Sequence, residues 1–179
     1  MSSHAIQTDR LDLRTFVESD IPELVPLIGA REVAVTTLRI PHPYEERHAK
    51  EFLASAIEEN ELRLVIRLRR DGRLCGGIGL HPDDQHSRAE LGYWIGVPFW
   101  GNGYATEAAQ AVVRYGFEEL KLNRIYAAHF SGNDASGRVL QKLGMRYEGR
   151  MRQALWKRDR FIDIERYAIL RNDMIRKSG

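Results

Sequence analysis

The chain holds one cysteine, Cys75, in 179 residues. It therefore predicts no internal disulfide and no cysteine-built metal site. No apolar run approaches the ~20 residues that a bilayer-spanning helix needs. The opening MSSHAIQTDR lacks the apolar stretch of a signal peptide. These absences predict a cytoplasmic protein with no membrane partner. A strong excess of charge is missing too, because 27 Lys/Arg against 25 Asp/Glu leave only +2. With 43% apolar and 29% charged residues, the composition excludes a disordered chain. No repeat, low-complexity tract or linker interrupts it, which predicts one domain over 1–179 with an ordered core of about 8–171.

Charge is present but unevenly spread. From Arg138 to Gly179 there are 12 Lys/Arg against 5 Asp/Glu. That basic quarter suits a phosphate-rich ligand or an acidic partner such as a ribosome surface, and equally a plain solvated face.

Periodicity gives the elements. Arg10 to Arg14 alternates as a strand, and a helix follows from Ser19 or Asp20 to Gly29. Arg31 to Pro43 reads as irregular, and Tyr44 to Asn60 as a second helix. Leu62 to Leu68 and Leu74 to Leu80 form a hairpin about Asp71-Gly72, followed by a polar loop from His81 to Arg88. Arg124 to Phe130 is a strand and Asn133 to Leu143 a short helix. Met145 to Leu155 and Phe161 to Leu170 are closing strands about the charged turn Trp156 to Arg160. The order β-α-α-β-β-β-α-β-α-β-β is that of a mixed α/β domain.

The stretch ELGYWIGVPFWGNGYATE, Glu90 to Glu107, carries the chemistry. Its first half alternates as a strand until Pro98. Phe99, Trp100, Gly101, Asn102 and Gly103 turn the chain, and a helix runs from Tyr104 to about Lys121. A strand ending in a glycine turn that opens into a helix leaves backbone N–H groups converging where the helix dipole favours an anion. The turn has neither the glycine triplet of a dinucleotide fingerprint nor the Lys-Ser/Thr of a Walker loop. A simple turn is the alternative reading.

These residues resemble the GNAT superfamily of N-acetyltransferases, whose acetyl-CoA loop reads Gln/Arg-x-x-Gly-x-Gly/Ala. Pro98 to Gly103 (PFWGNG) carries both glycines and has Pro98 where Gln or Arg is usual. Within the superfamily the chain is similar to the RimJ/RimL-like branch of ribosomal-protein N-terminal acetyltransferases. The pattern T-x-R-L-x-L-R occurs from Thr8 to Arg14, A-E-L/I-G-Y-W-I from Ala89 to Ile95, and W-G-x-G-Y-A-T-E-A from Trp100 to Ala108. The pattern N-x-x-S-x-x-V/L-x-x-K-L-G-F/M runs from Asn133 to Met145. The resemblance covers about Thr8 to Leu170.

It implies a single α/β domain with a mixed, mostly antiparallel sheet, splayed central strands and flanking helices. It also implies acetyl-CoA as co-substrate, with its pyrophosphate on the N–H groups of Phe99, Trp100, Gly101, Asn102, Gly103 and Tyr104. A backbone N–H near Ile95 or Val97 would polarise the acetyl carbonyl. Asn133 would bond the pantetheine arm and Ser136 would serve the leaving thiolate, the alternative for both being helix capping. Glu90 is the candidate general base, its alternative a surface pair with Arg88 or Arg124. The segments Arg31–Tyr44 and Trp156–Arg160 would line the acceptor side.

The acceptor is an amine, on a protein N-terminus such as that of a ribosomal protein or on a small molecule. A non-catalytic acetyl-CoA-binding module and a homodimer both stay open. His81 and His86 with Asp83 and Asp84 read as a polar loop in preference to a metal site. His129 reads as a packed histidine, Trp94, Trp100 and Trp156 as packing, and Cys75 as a buried apolar side chain.

Overall fold

Eight runs of alternating residues become strands: β1 (Ala5–Gln7), β2 (Leu11–Thr15), β3 (Leu62–Leu68), β4 (Leu74–Asp83), β5 (Arg88–Ile95), β6 (Arg124–Phe130), β7 (Arg146–Lys157) and β8 (Arg160–Leu170). The computed structural model describes residues 5–55 and 60–175 and joins these strands in one sheet, ordered β1-β2-β3-β4-β5-β6-β8-β7. Every neighbouring pair is antiparallel except β5 and β6. Among the described residues six α-helices accompany the sheet: α1 (Ile21–Ile28), α2 (Arg31–Thr36), α3 (Glu46–Ala54), α4 (Tyr104–Glu118), α5 (Asp134–Lys142) and α6 (Arg171–Ile175).

Side chains alternate between the two faces of a strand, so each face needs its own cover. One face sends Leu13, Ile66, Leu80, Leu91 and Ile125 against Ala108, Val112 and Phe117 of α4. Those spacings are the apolar stripe that made α4 legible. The other face is covered by α1 and α3, where Phe16, Leu24, Ile28 and Ala49 pack with Val65 and Leu74. A fully buried Leu, Ile or Phe contributes about 1.5–3 kcal/mol each to this arrangement.

Several sequence expectations shift. Arg31–Thr36 is helical, not irregular, although Val33, Val35 and Thr36 are poor helix formers; burial of Val33 and Ala34 decides it. The second helix starts at Glu46, after Glu45, and its regular part ends at Ala54 where Ser55 turns extended. Expected helix residues 56–59 lie outside the described residues. The polar loop from His81 to Arg88 shrinks to a short turn, because β4 continues through His81 and Pro82 to Asp83, whose carboxylate meets Arg88 at 2.8 Å. The central strand stops at Ile95, and Val97–Phe99 forms a single 3₁₀ turn. Strand β1 and helix α6 were not anticipated.

Two motif arginines turn out to be structural. Asp20, with no exposed side-chain surface, is gripped by Arg14 (2.6 and 2.8 Å), by Arg67 (2.7 Å) and by the Val17 N–H (3.0 Å). Glu107 accepts from Thr8 Oγ1 (2.6 Å), from the Arg10 N–H (3.0 Å) and from Arg10 Nε (2.6 Å). The first motif thus pins the start of α4 from 97 to 99 residues away in sequence.

Burial alone would raise the Asp20 carboxyl, but the bonds from Arg14, Arg67 and Val17 outweigh it and hold the group below its usual range. Its stabilising contribution is complete above the unfolded value of about 3.9 and fades as pH falls through the lowered folded value. Asp20→Ala leaves two guanidinium groups uncompensated and is expected to cost about 3–5 kcal/mol. Urea denaturation at pH 7 and at pH 3 checks both statements: the variant loses stability at pH 7, and its deficit narrows in acid.

Candidate functional site

The site begins with an incomplete pairing. β5 and β6 are in register only at Arg88↔Arg124, Ala89↔Ile125 and Glu90↔Tyr126. Beyond Glu90, β5 stays with β4 and β6 stays with β8. The two central strands part there and open a cleft of about 1380 Å³. Glu90 marks its vertex. Gly96 N–H donates to the Cys75 carbonyl on β4 (2.9 Å). Strand alternation therefore turns the Ile95 N–H the other way, toward the open wedge. The Ile95 carbonyl on that edge accepts from Trp100 Nε1 (2.7 Å), which braces the wedge against the turn below it.

The turn itself divides its N–H groups. Phe99 N–H donates to Gly96 (2.9 Å) and Trp100 N–H to Val97 (3.2 Å), so both are spent inside the 3₁₀ turn. Gly101 and Gly103 both take φ of +78°, which a side chain would strain. Gly103 is the N-cap of α4 and supplies no side-chain cap, and the first bond within the helix runs from Glu107 N–H to Gly103 (3.1 Å). The donors left at the mouth of α4 are those of Gly101 to Thr106. Of the six N–H groups expected at the phosphate, those of Gly101, Asn102, Gly103 and Tyr104 lie at this mouth. Those of Phe99 and Trp100 are occupied within the 3₁₀ turn, and the Trp100 indole is bonded to the Ile95 carbonyl.

On the α4–α5 side of the wedge, Ser136 Oγ lies 2.7 Å from Tyr93 Oη, while Ser136 N–H donates to Asn133 Oδ1 (3.2 Å). Asn133 is therefore the N-cap of α5, the capping alternative weighed for it. Its side chain and that of Ser136 still line the cleft. Burial pushes the Tyr93 hydroxyl up to about 12, the Ser136 bond opposing only in part. Tyr93 stays protonated at neutral pH and can feed a proton to Ser136. The alternation that fixed the strand marked Tyr93 as inward-facing but gave no hint of this partner.

The opposite face carries Glu90, Gly92 and Trp94. Glu90 pairs with neither Arg88 nor Arg124, as the structural alternative had it; those arginines hold Asp83 and Glu148. Its partner is Arg39 at 3.3 Å, from the segment after α2. Trp94 lies across Gly77, where a Cβ would sit 2.6 Å from the indole nitrogen. Beside it a Cβ on Gly92 would meet nothing within 4 Å. Gly92 is thus a bare patch of cleft floor. The roof comes from Val33, Thr36–Pro41 and Tyr44 with Leu155, and Lys157 Nζ ties the far hairpin to Ala34 (2.7 Å). Of the two segments expected on the acceptor side, Arg31–Tyr44 lines the cleft, whereas Trp156–Arg160 contributes no lining residue and touches that segment through Lys157.

The remaining candidates resolve into packing. His129 is buried, stacked on Tyr167, with Nδ1 2.9 Å from the Phe130 carbonyl. Trp156 is an exposed rim residue edge-on to Phe161. No cluster of three or more metal-ligating side chains occurs among the described residues, and none of their helices is long and apolar enough to cross a membrane.

Comparison with known proteins agrees with this geometry. Residues 10–146 match the family described as acetyltransferase (GNAT) domain. The N-acetyltransferase YoaA of Bacillus subtilis strain 168, itself uncharacterised, is 35% identical over 93% of this chain and 96% of its own. YdaF of the same organism, provisionally named a ribosomal N-acetyltransferase, is 40% identical over 58% of this chain and 57% of its own. The crystal structure of a GNAT-family acetyltransferase from Bacillus anthracis superposes with TM-score 0.85 at 28% identity, covering 94% of this chain and 99% of that one.

Cys75 has no exposed surface, and burial, helped by the charge of Asp71, pushes its thiol up to about 12. At pH 8 it is protonated and shielded. The folded protein is expected to resist a disulfide-exchange thiol reagent, with one thiol per chain appearing only after denaturation.

Proposed function

Because the chain belongs to the GNAT acetyltransferase family and is an acetyl-CoA-dependent N-acetyltransferase, we propose that its acceptor is a polypeptide N-terminal α-amine, attacking in a ternary complex. In this reading the pyrophosphate of acetyl-CoA rests on the N–H groups of Gly101 to Thr106 at the positive end of α4. The pantetheine arm follows the wedge between β5 and β6, past Asn133. The Ile95 N–H faces the acetyl carbonyl, where it would stabilise developing oxyanion charge. Ser136, backed by Tyr93, returns a proton to the leaving sulfur. Glu90 draws the incoming ammonium to the vertex by displacing Arg39. That exposed ion pair, worth about 0–1 kcal/mol, is weak enough to exchange.

The observation that carries the choice of acceptor is the size and charge of the cleft. At about 1380 Å³ it exceeds the ~300–1,000 Å³ usual for a small-molecule site. That leaves room for several peptide residues beside the pantetheine arm. A polyamine would want several free carboxylates at the vertex, where Glu61 is already held by Arg63 and only Glu90, with its exchangeable Arg39 pair, is left for a single ammonium. An α-amine, with a pKa of about 8, also needs less help to lose its proton than a lysine near 10.4. The name given to YdaF points the same way.

A thiol-release assay with acetyl-CoA against N-terminal peptides, polyamines and aminoglycosides tests the reading, and the silent Cys75 adds no background. Peptides are expected to give the highest kcat/KM, whereas a polyamine as best substrate would overturn it. Gly92→Leu fills the bare floor and is expected to lower kcat/KM for the acceptor by about 100-fold, with the CoA dissociation constant unchanged in calorimetry. Ser136→Ala is expected to lower kcat by about 100-fold or more.

A further inference from the structure

His81 is not among the residues that the acetyltransferase motifs account for, and it reaches the cleft only because β4 runs longer than its polar sequence suggests. It is registered opposite Glu90 on the neighbouring strand. Directly opposed residues share a face with their Cβ atoms about 4.5–5.5 Å apart. The imidazole lines the same cleft as Glu90. Behind it, His81 Nδ1 lies 3.0 Å from Glu61 Oε1, and the Glu61 side chain is only 5% exposed. Glu61 is held by Arg63 through Nε–Oε1 and Nη2–Oε2, both 2.9 Å. Arg63 in turn donates to Ser55 Oγ (2.7 Å) and lies over the Phe52 ring.

This chain of contacts fixes the tautomer. A carboxylate gripped by a guanidinium stays ionised and can only accept, so Nδ1 of His81 carries the hydrogen and Nε2 carries the lone pair. A histidine on the lining of a cleft, held through one ring nitrogen by a buried acid so that the other is left to accept, has the arrangement of a general base. The charged groups around it are Glu61 and Arg63 behind, and Glu90 opposite with Arg39 beyond.

We propose that His81 is the proton acceptor of the transfer reaction, with Glu61 as its positioning residue and Glu90 as the anchor for the ammonium. This rests on acetyl transfer in this cleft and not on which amine is the acceptor. The ammonium gives a proton to His81 Nε2, directly or through one water. The freed nitrogen attacks the thioester carbonyl carbon, the C–N bond forms and the C–S bond breaks. Of the two protons the ammonium loses, one leaves to solvent through His81. The other leaves the nitrogen to solvent as the C–N bond forms. Ser136 delivers one proton to sulfur and is recharged from solvent through Tyr93, so one proton is released in all.

The test uses the full-length enzyme with whichever acceptor in the panel is fastest. His81→Gln keeps a donor for Glu61 but has no basic nitrogen. It is expected to lower kcat at pH 7 by about 10²–10⁴-fold while leaving the CoA dissociation constant unchanged. The deficit is expected to shrink as pH rises and the amine loses its proton unaided. In His81→Ala, added imidazole is expected to restore part of the rate. Glu61→Gln should show a smaller loss with the same pH pattern, and Glu90→Gln should raise the acceptor KM more than it lowers kcat. A His81→Gln enzyme with wild-type kcat across pH 6–10 would overturn the proposal. So would an equal loss at every pH with no imidazole rescue. A best acceptor other than a peptide overturns only the acceptor assignment and leaves this test intact.

Discussion

Three residue pairs join β5 to β6, and the absence of a fourth is what the rest of the molecule depends on. A parallel pair in the middle of an otherwise antiparallel sheet has no hairpin to hold it in register. It is held instead by the crossover through α4, packed across the sheet at Ala108, Val112 and Phe117. Past Glu90 each strand keeps its outer neighbour and loses its inner one. Backbone groups that would have faced each other then face a cleft. A buried opening of that kind leaves polar groups to be satisfied by something else. The indole of Trp100 satisfies one, the Ile95 carbonyl. The Ile95 N–H points into the same gap, where the proposed reading places the acetyl carbonyl.

The two sides of the wedge are chemically different because strand alternation makes them so. Tyr93 faces α4 and α5 and meets Ser136 there, in a buried pair whose phenol keeps its proton. Glu90, Gly92 and Trp94 face α1–α3, where His81 and Gly77 stand across from them on β4. In the proposed reading one strand therefore separates the leaving-group side from the acceptor side by no more than the thickness of its own backbone. Two carboxylates on the Glu90 side are paired within the site, Glu90 with Arg39 and Glu61 with Arg63. In the basic C-terminal quarter Arg146 and Arg150 meet Asp173 and Asp163, while Glu148 is taken by Arg124 from outside it, so the basic excess of that quarter remains.

Much of this was readable from the residues. Period-two and helical patterns located β2 to β8, α1, α4 and α5 to within a few residues, because those elements bury one face each. The glycine turn announced itself by its place between strand and helix. What could not be read came from contacts between distant segments. Helix α2 forms against its own propensities because Val33 and Ala34 are buried. The run His81-Pro82-Asp83 looked like loop because its residues are polar, yet Glu90, Ala89 and Arg88 pair with it and make it strand. Thr8 and Arg10 were visible as a motif but not as the clamp on Glu107. Likewise, nothing local in the sequence said that Phe99 and Trp100 would spend their N–H groups inside a 3₁₀ turn, which leaves the open donors at Gly101 to Thr106.

The central claim is a division of labour across β5: pyrophosphate at the mouth of α4, thioester at the wedge, and acceptor over the Gly92 floor. A crystal structure of the complex with CoA tests it most directly. The expected result has the pyrophosphate oxygens within hydrogen-bond distance of N–H groups between Gly101 and Thr106. The sulfur would then lie between Ile95 and Ser136, with the Gly92 side left open. A pyrophosphate seated away from α4, or a pantetheine arm lying over Gly92 on the α1–α3 face, would contradict it.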